Sequence, residues 1–324
     1  MRQEGVKAVN IKSLSVKRNI KLPSQIGLIG VIIALSAVFT LLNPSFIMSD
    51  NILNIVRQSS VNIIMAMGVT FVMVADQLDL SIGGIACFAG MAVAVMMNAG
   101  VPIPVAVMIS IGIGAVVGFI NGFLSTKFGL PSMIVTIATM NICNGVASLL
   151  TGGTAVYGLP EDFSVLGRGY VGPIPFQVVL MAAIVIICAI VLAKTLFGRY
   201  AYAIGGNENV TRLAGVKVFR YQICYFIISG ICSAIAGIIL TSRLMTGQPG
   251  AASNSMVDIL TAVVIGGAGV TAGSTGSVFG SLLGALLLTI VANGLTINGV
   301  NSFWQLIVTA IILLVVIIVR REKN

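Results

Sequence analysis

Long apolar stretches with few charged residues recur along this chain of 324 residues. The hydrocarbon core of a bilayer requires about 20 mostly apolar residues per helix. On this basis ten spans are predicted, at roughly 25–43, 59–75, 82–98, 102–124, 132–151, 173–195, 220–241, 256–270, 275–293 and 302–319. The segments 82–98 and 256–270 are short and contain glycine, so each is interpreted as either a full span or a broken or re-entrant element. The pattern predicts an all-α polytopic membrane protein embedded in a lipid bilayer.

Composition excludes several other classes of protein. Apolar residues make up 57% of the chain and charged residues 8%, whereas a soluble domain has about 25% charged residues. The net charge is +9, but the basic residues cluster at the ends of apolar segments, so no nucleic-acid partner is expected. Histidine is absent, and the five cysteines lie in apolar stretches without paired spacing. No metal site is therefore predicted.

The placement of charge predicts the orientation. Basic residues dominate three segments, namely 1–24, 194–220 and the last five residues, and all three should be cytoplasmic by the positive-inside rule. Two cytoplasmic termini require an even number of spans, which ten satisfies. The predicted organisation is a basic cytoplasmic N-terminus (1–24), a transmembrane domain (25–319) with a cytoplasmic loop at about 196–219, and a cytoplasmic C-terminus (320–324).

Two glycine ladders with a spacing of four residues lie in the predicted fourth and ninth spans. This spacing places glycines on one helix face, where another backbone can approach closely. The two spans run in opposite directions, so the ladders are compatible with two inverted five-helix halves. Close packing without a repeat is the alternative interpretation. The predicted packing residues are Gly114, Gly118, Gly122, Gly276, Gly280 and Gly284.

Enzyme motifs are missing from the sequence. No Gly-Lys pair occurs, which excludes a Walker A phosphate loop, and the glycine-rich stretch at 265–269 lacks the context of a dinucleotide fingerprint. We therefore predict no catalytic residues and no cofactor bound by this chain. If the protein works against a gradient, a partner chain or an ion gradient must supply the energy.

Polar residues near or within the spans are the candidates for a pathway or a gate. Asp79 and Ser81 are interpreted first as caps of the following helix, since a carboxylate accepts hydrogen bonds from free N–H groups there. Proton coupling through carboxylates at helix ends is the alternative. The candidate residues are Asp79, Ser81, Asn121, Asn141, Asn144 and Asp258.

The loop from Gly198 to Val216 contains a local structural signal. Gly205, Gly206 and Asn207 indicate a turn with Asn207 as a helix N-cap, and Gly215 fits the residue after a helix end. A short helix is predicted over about 208–214. It would project Glu208 and Arg212 into the cytoplasm, as an ordinary connector or as a docking helix for a partner.

A series of sequence motifs runs in order from about residue 50 to residue 318. The motifs are Leu78–Gly83, Asn121–Leu124, Phe128–Thr136, Leu150–Gly153, Ala203–Glu208, Arg212–Val216, Ser242–Arg243, Gln248–Gly250, Val263–Gly267 and Phe303–Gln305. Together they resemble the permease subunit of bacterial ABC sugar importers of the ribose, galactose and xylose type. The chain departs from the family pattern at Val210 and Thr211, where two alanines are usual, and at Asp76 and Gln77, where glycine is more usual.

The resemblance implies a set of partners and a location. These are a second permease copy or a paralogue, cytoplasmic ABC ATPase subunits that bind ATP and Mg²⁺, and an extracytoplasmic sugar-binding protein, all at the bacterial inner membrane. The ATPase-coupling loop would then comprise Gly205, Gly206, Asn207, Glu208, Arg212, Leu213, Ala214 and Gly215.

The expected function is import of a monosaccharide, a ribose-like pentose or a hexose, driven by ATP hydrolysis on a separate subunit. Two alternatives stay open at this point. One is a permease of the same superfamily for branched-chain amino acids, nucleosides or a furanone signal, and the other is an ion-coupled secondary carrier.

Overall fold

The computed structural model describes residues 24–252, 255–268 and 275–321, and this part of the chain is mainly α-helical. Two short 3₁₀ helices, Pro44–Ile47 and Glu161–Ser164, and an antiparallel hairpin of β1 (Tyr170–Val171) and β2 (Ile174–Pro175) lie in connecting segments. The helices are α1 (Ser24–Leu42), α2 (Ser49–Val74), α3 (Ile82–Asn98), α4 (Ile103–Lys127), α5 (Ser132–Leu149), α6 (Val165–Arg168), α7 (Phe176–Lys194), α8 (Leu196–Gly206), α9 (Glu208–Leu213), α10 (Val218–Leu244), α11 (Ser255–Ile265), α12 (Val278–Ile297) and α13 (Ser302–Arg321). The predicted N-terminal segment, except Ser24, and residues 322–324 lie outside the described residues.

Apolar helices coincide with all ten predicted spans. Seven of the described helices are long and apolar enough to cross a membrane, namely α1, α2, α4, α5, α7, α10 and α12. Of the other three, α3 has 17 residues and α11 only 11, in agreement with the short segments seen in the sequence. Because α11 ends at Ile265, the predicted span 256–270 is too long, and its last two residues lie outside the described part of the chain.

The largest boundary error is at α2, which begins ten residues before its predicted start. Its first turns carry Asp50, Asn51 and Arg57, which lower the hydropathy of that segment. In the structure the amides of Asn51 and Asn293 exchange two hydrogen bonds of 2.9 Å, and the guanidinium of Arg57 lies 5.0 Å from the ring centroid of Tyr170. These polar groups find partners that hydropathy does not reveal.

The interior of the bundle is built around α2 and α10. α10 packs against α4, α2 and α3, while α12 packs against α11 and α2. Phe71 of α2 and Tyr225 of α10 are among the largest fully buried side chains. The peripheral helices instead turn apolar side chains outward, as at Leu41, Met108 and Ile186. An apolar exterior of this kind is what a bundle in lipid requires, because the hydrocarbon is itself apolar.

Connecting segments gather at two ends of the bundle. At one end Leu78 N donates to Ser132 Oγ at 3.0 Å, and Tyr202 Oη donates to the Gly276 carbonyl at 2.9 Å. We call this the α8–α9 end; it comprises 75–81, 128–131, 195–217 and 275–277. The other, the hairpin end, comprises 43–48, 99–102, 150–175 and 245–252. There Val156 and Gly247 form a β-bridge.

Candidate functional site

The first candidate site is the α8–α9 segment, where the sequence predicted a capped helix. Asn207 Oδ1 accepts a hydrogen bond from Val210 N at 3.0 Å, and α9 follows over Glu208–Leu213. Gly215 has a φ of +85°, a conformation that favours glycine. The predicted helix and its cap are confirmed. Gly205 and Gly206 differ from the prediction, because they form the end of α8 and the chain turns at Asn207 alone.

Side-chain hydrogen bonds fix α9 to its neighbours. Thr211 Oγ1 donates to the Ala203 carbonyl of α8 at 2.8 Å. Glu208 forms an ion pair with Arg212 and also accepts a hydrogen bond from Gln222 Nε2, in the first turns of α10, at 3.1 Å. Thr211, which departs from the family pattern, thus holds the short helix against α8. The segment is attached to both α8 and α10.

The outward face of α9 is apolar. Val210 and Leu213 are 61% and 87% exposed, and a spacing of three residues places them side by side on the helix. Ala214 and Gly215 follow and are also exposed. An exposed apolar pair among charged side chains is typical of a contact surface for another protein.

A polar groove lies beside α9 at the same end. Its volume is about 600 Å³, and its lining includes Gln77, Lys127, Ser132, Arg212 and Gln222. Residues from the break before α3, from the α4–α5 turn and from α9 therefore share one surface. All three elements overlap motifs of the family resemblance.

The second candidate site is a buried cluster centred on Asp79, which we call the Asp79 network. The side chain of Asp79 is fully buried. Its Oδ1 accepts hydrogen bonds from Ser81 N at 2.9 Å and Ser81 Oγ at 2.5 Å, and its Oδ2 accepts one from Ser229 Oγ at 2.6 Å. Asn121 Nδ2 donates to Ser81 Oγ at 2.8 Å, and Thr139 Oγ1 donates to Asn121 Oδ1 at 2.7 Å. The network joins the break before α3 to α4, α5 and α10.

The hydrogen bonds of the Asp79 network all run in one direction, since each donor bonds the next residue toward the carboxylate of Asp79. The Ser81 hydroxyl accepts from Asn121 and donates to Asp79, so its two bonds are compatible with one another. An ionised carboxylate accepts hydrogen bonds only, and three donors satisfy much of its capacity. The three donors therefore offset part of the cost of burying this carboxyl group.

The predicted capping of α3 takes a different form. Asp79 Oδ1 accepts from the N–H of Ser81, one residue before the helix, and the side chain of Ser81 makes no capping bond. Asp79 thus orders the entry to α3 locally while Ser229 connects it to α10. A role of Asp79 and Ser81 in a pathway or gate stays a prediction.

The other candidate pathway residues lie elsewhere. Asn141 is exposed on α5, and Asn144 Oδ1 is buried without a hydrogen-bond partner among the described residues. Asp258 lies in the first turn of α11, whereas Asp79 lies in the break before α3, and no hydrogen bond joins the two among the described residues. The structure does not bring these two carboxylates together.

The glycine ladders lie at two close helix contacts. In α4, a Cβ atom at Gly114 would collide with the Gly230 carbonyl oxygen of α10, and one at Gly118 would collide with that of Phe226. A Cβ atom at Gly122 would lie 2.7 Å from Ile223 Cα. In α12, Gly284 faces the backbone of Ala262 in α11, and Gly280 faces that of Gly266, just after α11. Gly276 does not belong to the second helix face, because α12 begins at Val278 and Gly276 has a φ of +117°.

Sequence reasoning missed two members of the Asp79 network. Thr139 and Ser229 lie in apolar helices, and each bonds a residue distant in sequence, as in the Ser229–Asp79 pair 150 positions apart. A buried hydroxyl within a predicted span is the only signal that could have identified them.

Comparisons with known proteins cover nearly the whole chain. A family profile described as "Branched-chain amino acid transport system / permease component" matches residues 51–317. The ribose import permease protein of Bacillus subtilis is 40% identical over 94% of this chain and 94% of its own length. The ribose import permease protein of Escherichia coli K12 is 35% identical over 94% of this chain and 95% of its own length. The xylose transport system permease protein of Haemophilus influenzae is 30% identical over 93% and 96%.

One solved structure shares the fold. It is described as an inward-facing conformation of a metal-chelate type ABC transporter, and it aligns with a TM-score of 0.54 at 13% identity. The alignment covers 93% of this chain and 99% of that one. At this identity the likeness shows a common fold alone.

Proposed function

The chain belongs to the branched-chain amino acid transport system / permease component family, and from this premise we propose that it imports a monosaccharide delivered by an extracytoplasmic binding protein. It is a multi-pass membrane protein and the permease subunit of an ABC sugar importer. The observation that carries the proposal is the similarity to ribose permeases over 94% of the chain. ATP and Mg²⁺ would bind to a partner ATPase, and this chain would form the path through the bilayer.

A ribose-like pentose is the favoured substrate. The ribose permeases are 40% and 35% identical to this chain, and the xylose permease is 30% identical. A hexose is compatible with the same fold. Branched-chain amino acids are the alternative suggested by the description of the family, and nucleosides and a furanone signal are the others that the sequence left open.

The α8–α9 segment is proposed as the contact with the ATPase. Its apolar pair, Val210 and Leu213, is exposed, while Glu208 and Thr211 attach it to α10 and α8. A helix that is exposed on one side and fixed on the other suits transmission of movement. Closure of the ATPases would push this segment and tilt the attached helices, a rigid-body transition.

Ten spans with both termini cytoplasmic are proposed for the topology. If each of the ten apolar helices crosses once, successive helices run in opposite directions. The connecting segments then fall at two ends of the bundle, as they do in the structure. The packing supports an inverted repeat. The second helix of each half packs against the third and fourth helices of the other half, since α10 contacts α3 and α4 while α2 contacts α11 and α12. The α8–α9 end would then face the cytoplasm of a bacterial cell, and the hairpin end would face the binding protein.

A second permease copy, identical or paralogous, is proposed to cover part of the exposed surface. α5 exposes Ala138, Asn141 and Gly145 on one face, and no atom lies within 4 Å of a Cβ position at Gly145. An amide facing lipid is unfavourable, because hydrocarbon offers it no hydrogen bond. This face is therefore better suited to a partner or to a water-filled path.

An ion-coupled carrier is the second candidate function, but the geometry favours it less. That interpretation rested on Asp79 and Asp258 as a pair, and no hydrogen bond joins them among the described residues. The hydrogen bonds that Asp79 accepts come instead from two serine residues. Uptake that survives an ionophore and stops on ATP depletion would reject the carrier.

The test is purification of the tagged protein from its native membrane, with identification of the chains that accompany it. We expect a P-loop ATPase at comparable stoichiometry and hydrolysis stimulated by ribose-loaded binding protein. In a Leu213→Asp variant the ATPase should bind at least about tenfold more weakly, the loss expected when an apolar anchor is removed from an interface.

Val165→Asp is the matched control, because Val165 is 52% exposed but lies at the hairpin end. This variant should still bind the ATPase. Equal recovery of ATPase with the two variants would contradict the docking role of α9. A chain that purifies alone and transports without ATP would contradict the importer itself.

A further inference from the structure

α10 carries hydrogen bonds to both candidate sites. Gln222 bonds Glu208 of α9, and Tyr225 Oη donates to the Phe197 carbonyl of α8 at 2.9 Å. Ser229 bonds Asp79 at 2.6 Å. The spacing of three and seven residues places these three side chains on one face of the helix. α10 therefore connects the α8–α9 segment directly to the buried carboxylate.

From Asp79 the hydrogen bonds continue to α4 and α5. Ser81 relays the contact to Asn121 of α4, which accepts from Thr139 of α5. Thr139 is 8% exposed, and the other four members of the network are fully buried, namely Asp79, Ser81, Asn121 and Ser229. Breaking one link would leave a buried polar group without its partner, which is unfavourable away from water. The linked elements are therefore expected to move together.

Close backbone packing reinforces the same connection. A Cβ atom at Gly84 of α3 would lie 2.7 Å from the Met140 carbonyl oxygen of α5, and one at Gly68 of α2 would lie 2.6 Å from Ser229 Cα. Such contacts leave little room for one helix to slide past another, since packed interfaces resist gradual deformation. The Asp79 network lies where α3, α5 and α10 meet.

We propose that Asp79 is a positioning residue that transmits movement of the α8–α9 segment to α5, through Ser229 on one side and Ser81, Asn121 and Thr139 on the other. The inference rests on the proposed function, in which α9 meets the ATPase and the exposed face of α5 meets the second permease copy or a water-filled path. Asp79 itself contacts neither. It holds the two moving parts in one unit, so that ATP-driven closure changes access to the path.

The experiment uses the complete importer, with ATPase and binding protein, in proteoliposomes. Uptake of labelled ribose and hydrolysis of ATP are measured on the same vesicles, and their ratio is the readout. Ser229→Ala removes the link to α10, and Thr139→Val removes the link to α5. Ser233→Ala is the matched control, because Ser233 Oγ donates only within its own helix, to the Ser229 carbonyl at 2.8 Å.

Uptake per ATP should fall about 2- to 30-fold in Ser229→Ala and in Thr139→Val, the range expected when a coupling contact is lost. It should be unchanged in Ser233→Ala. The double variant should be no worse than the more affected single variant, because both changes interrupt one route. A purely structural role would reduce the amount of assembled complex but leave the ratio unchanged.

An unchanged ratio in both single variants, or losses that multiply in the double variant, would overturn the inference. If Ser229→Ala does not assemble, the ratio in Thr139→Val decides the matter by the same criterion. A wild-type complex without ATP-dependent ribose uptake would contradict the proposed function instead. The two failures are thus distinguishable, because the wild type is measured first.

Discussion

Asn51 and Asn293 place two amides face to face between α2 and α12, and each amide donates to the other at 2.9 Å. Asn51 Nδ2 also donates to the Phe46 carbonyl at 2.8 Å. Asn293 thus has an interhelical role, as does Asn121, one of the candidate pathway residues. Asn141 differs from them, because it is exposed on α5.

The amide pair should contribute a modest coupling energy. In a double-mutant cycle of Asn51→Ala and Asn293→Ala, we expect a coupling of about 0.6 kcal/mol, with about 1.7 kcal/mol as the upper bound for interhelical hydrogen bonds in membranes. Asn51→Ala should be the more destabilising single change, because it also loses the bond to Phe46. Unfolding in detergent measures both quantities. Reduced uptake in Asn293→Ala with unchanged stability would indicate a residue of the substrate path instead.

Residues differ in how well their roles can be predicted from sequence. The cap at Asn207 was predictable, because its partner Val210 lies three positions away and cap geometry is local. The role of Ser229 was not, because Asp79 is distant in sequence and only the packing of α3 on α10 brings them together. Thr211 was noticed only as a departure, and its bond to Ala203 depends on the angle between two short helices.

At the level of elements, α4 shows how glycine spacing determines a helix contact. Gly114, Gly118 and Gly122 all face α10, whereas Gly112 on the same helix has no atom within 4 Å of a Cβ position. The sequence predicted the small-residue face correctly as a pattern. It could not identify α10 as the neighbour, because spacing says nothing about which helix approaches.

This contrast provides a matched pair of substitutions. Gly118→Ala would place a methyl group against the Phe226 carbonyl, so we expect a loss of about 1–3 kcal/mol in unfolding free energy, as for other overpacked sites. Gly112→Ala should be neutral or stabilising by about 0.4–1 kcal/mol, because it restricts the unfolded chain without a clash. Thermal unfolding of the two purified variants compares them directly. Equal midpoints would show that α4 and α10 separate more easily than the structure indicates.

At the level of the whole molecule, the two ends differ in composition. The α8–α9 end includes Arg199, Arg212 and Lys217 along one connecting segment, and Arg220 follows in the first turn of α10. The hairpin end includes Glu161 and Asp162, which begin a 3₁₀ helix, and the β1–β2 hairpin. The asymmetry of basic residues favours a cytoplasmic α8–α9 end.

Cysteine labelling tests this orientation. Of the five native cysteines only Cys224 is exposed, so Cys224→Ser gives a suitable background. In intact cells a membrane-impermeant maleimide should label a Tyr157→Cys variant, because Tyr157 is exposed at the hairpin end. A Leu213→Cys variant should react only after permeabilisation. Labelling of both variants in intact cells, or the reverse pattern, would contradict the proposed topology.

The helical architecture could be predicted from hydropathy because lipid requires apolar helices of a minimum length. The prediction failed where polar groups are satisfied inside the protein, as at the start of α2, and where a helix stops early, as at Ile265. The α8–α9 segment was predictable from local turn and cap residues. The Asp79 network was only partly predictable, because Asp79, Ser81 and Asn121 were candidates while Thr139 and Ser229 were not.

The lengths of three helices imply a mechanical link to the surrounding lipid. α2, α4 and α10 contain 26, 25 and 27 residues, which at 1.5 Å per residue gives about 39, 38 and 40 Å. The hydrocarbon core is about 30 Å thick, so these helices must lean or extend beyond it. A thinner bilayer favours a greater lean and a thicker one a smaller lean. Acyl-chain length thus acts on α10, which bonds Asp79 through Ser229, and on α4, which carries Asn121 of the same network.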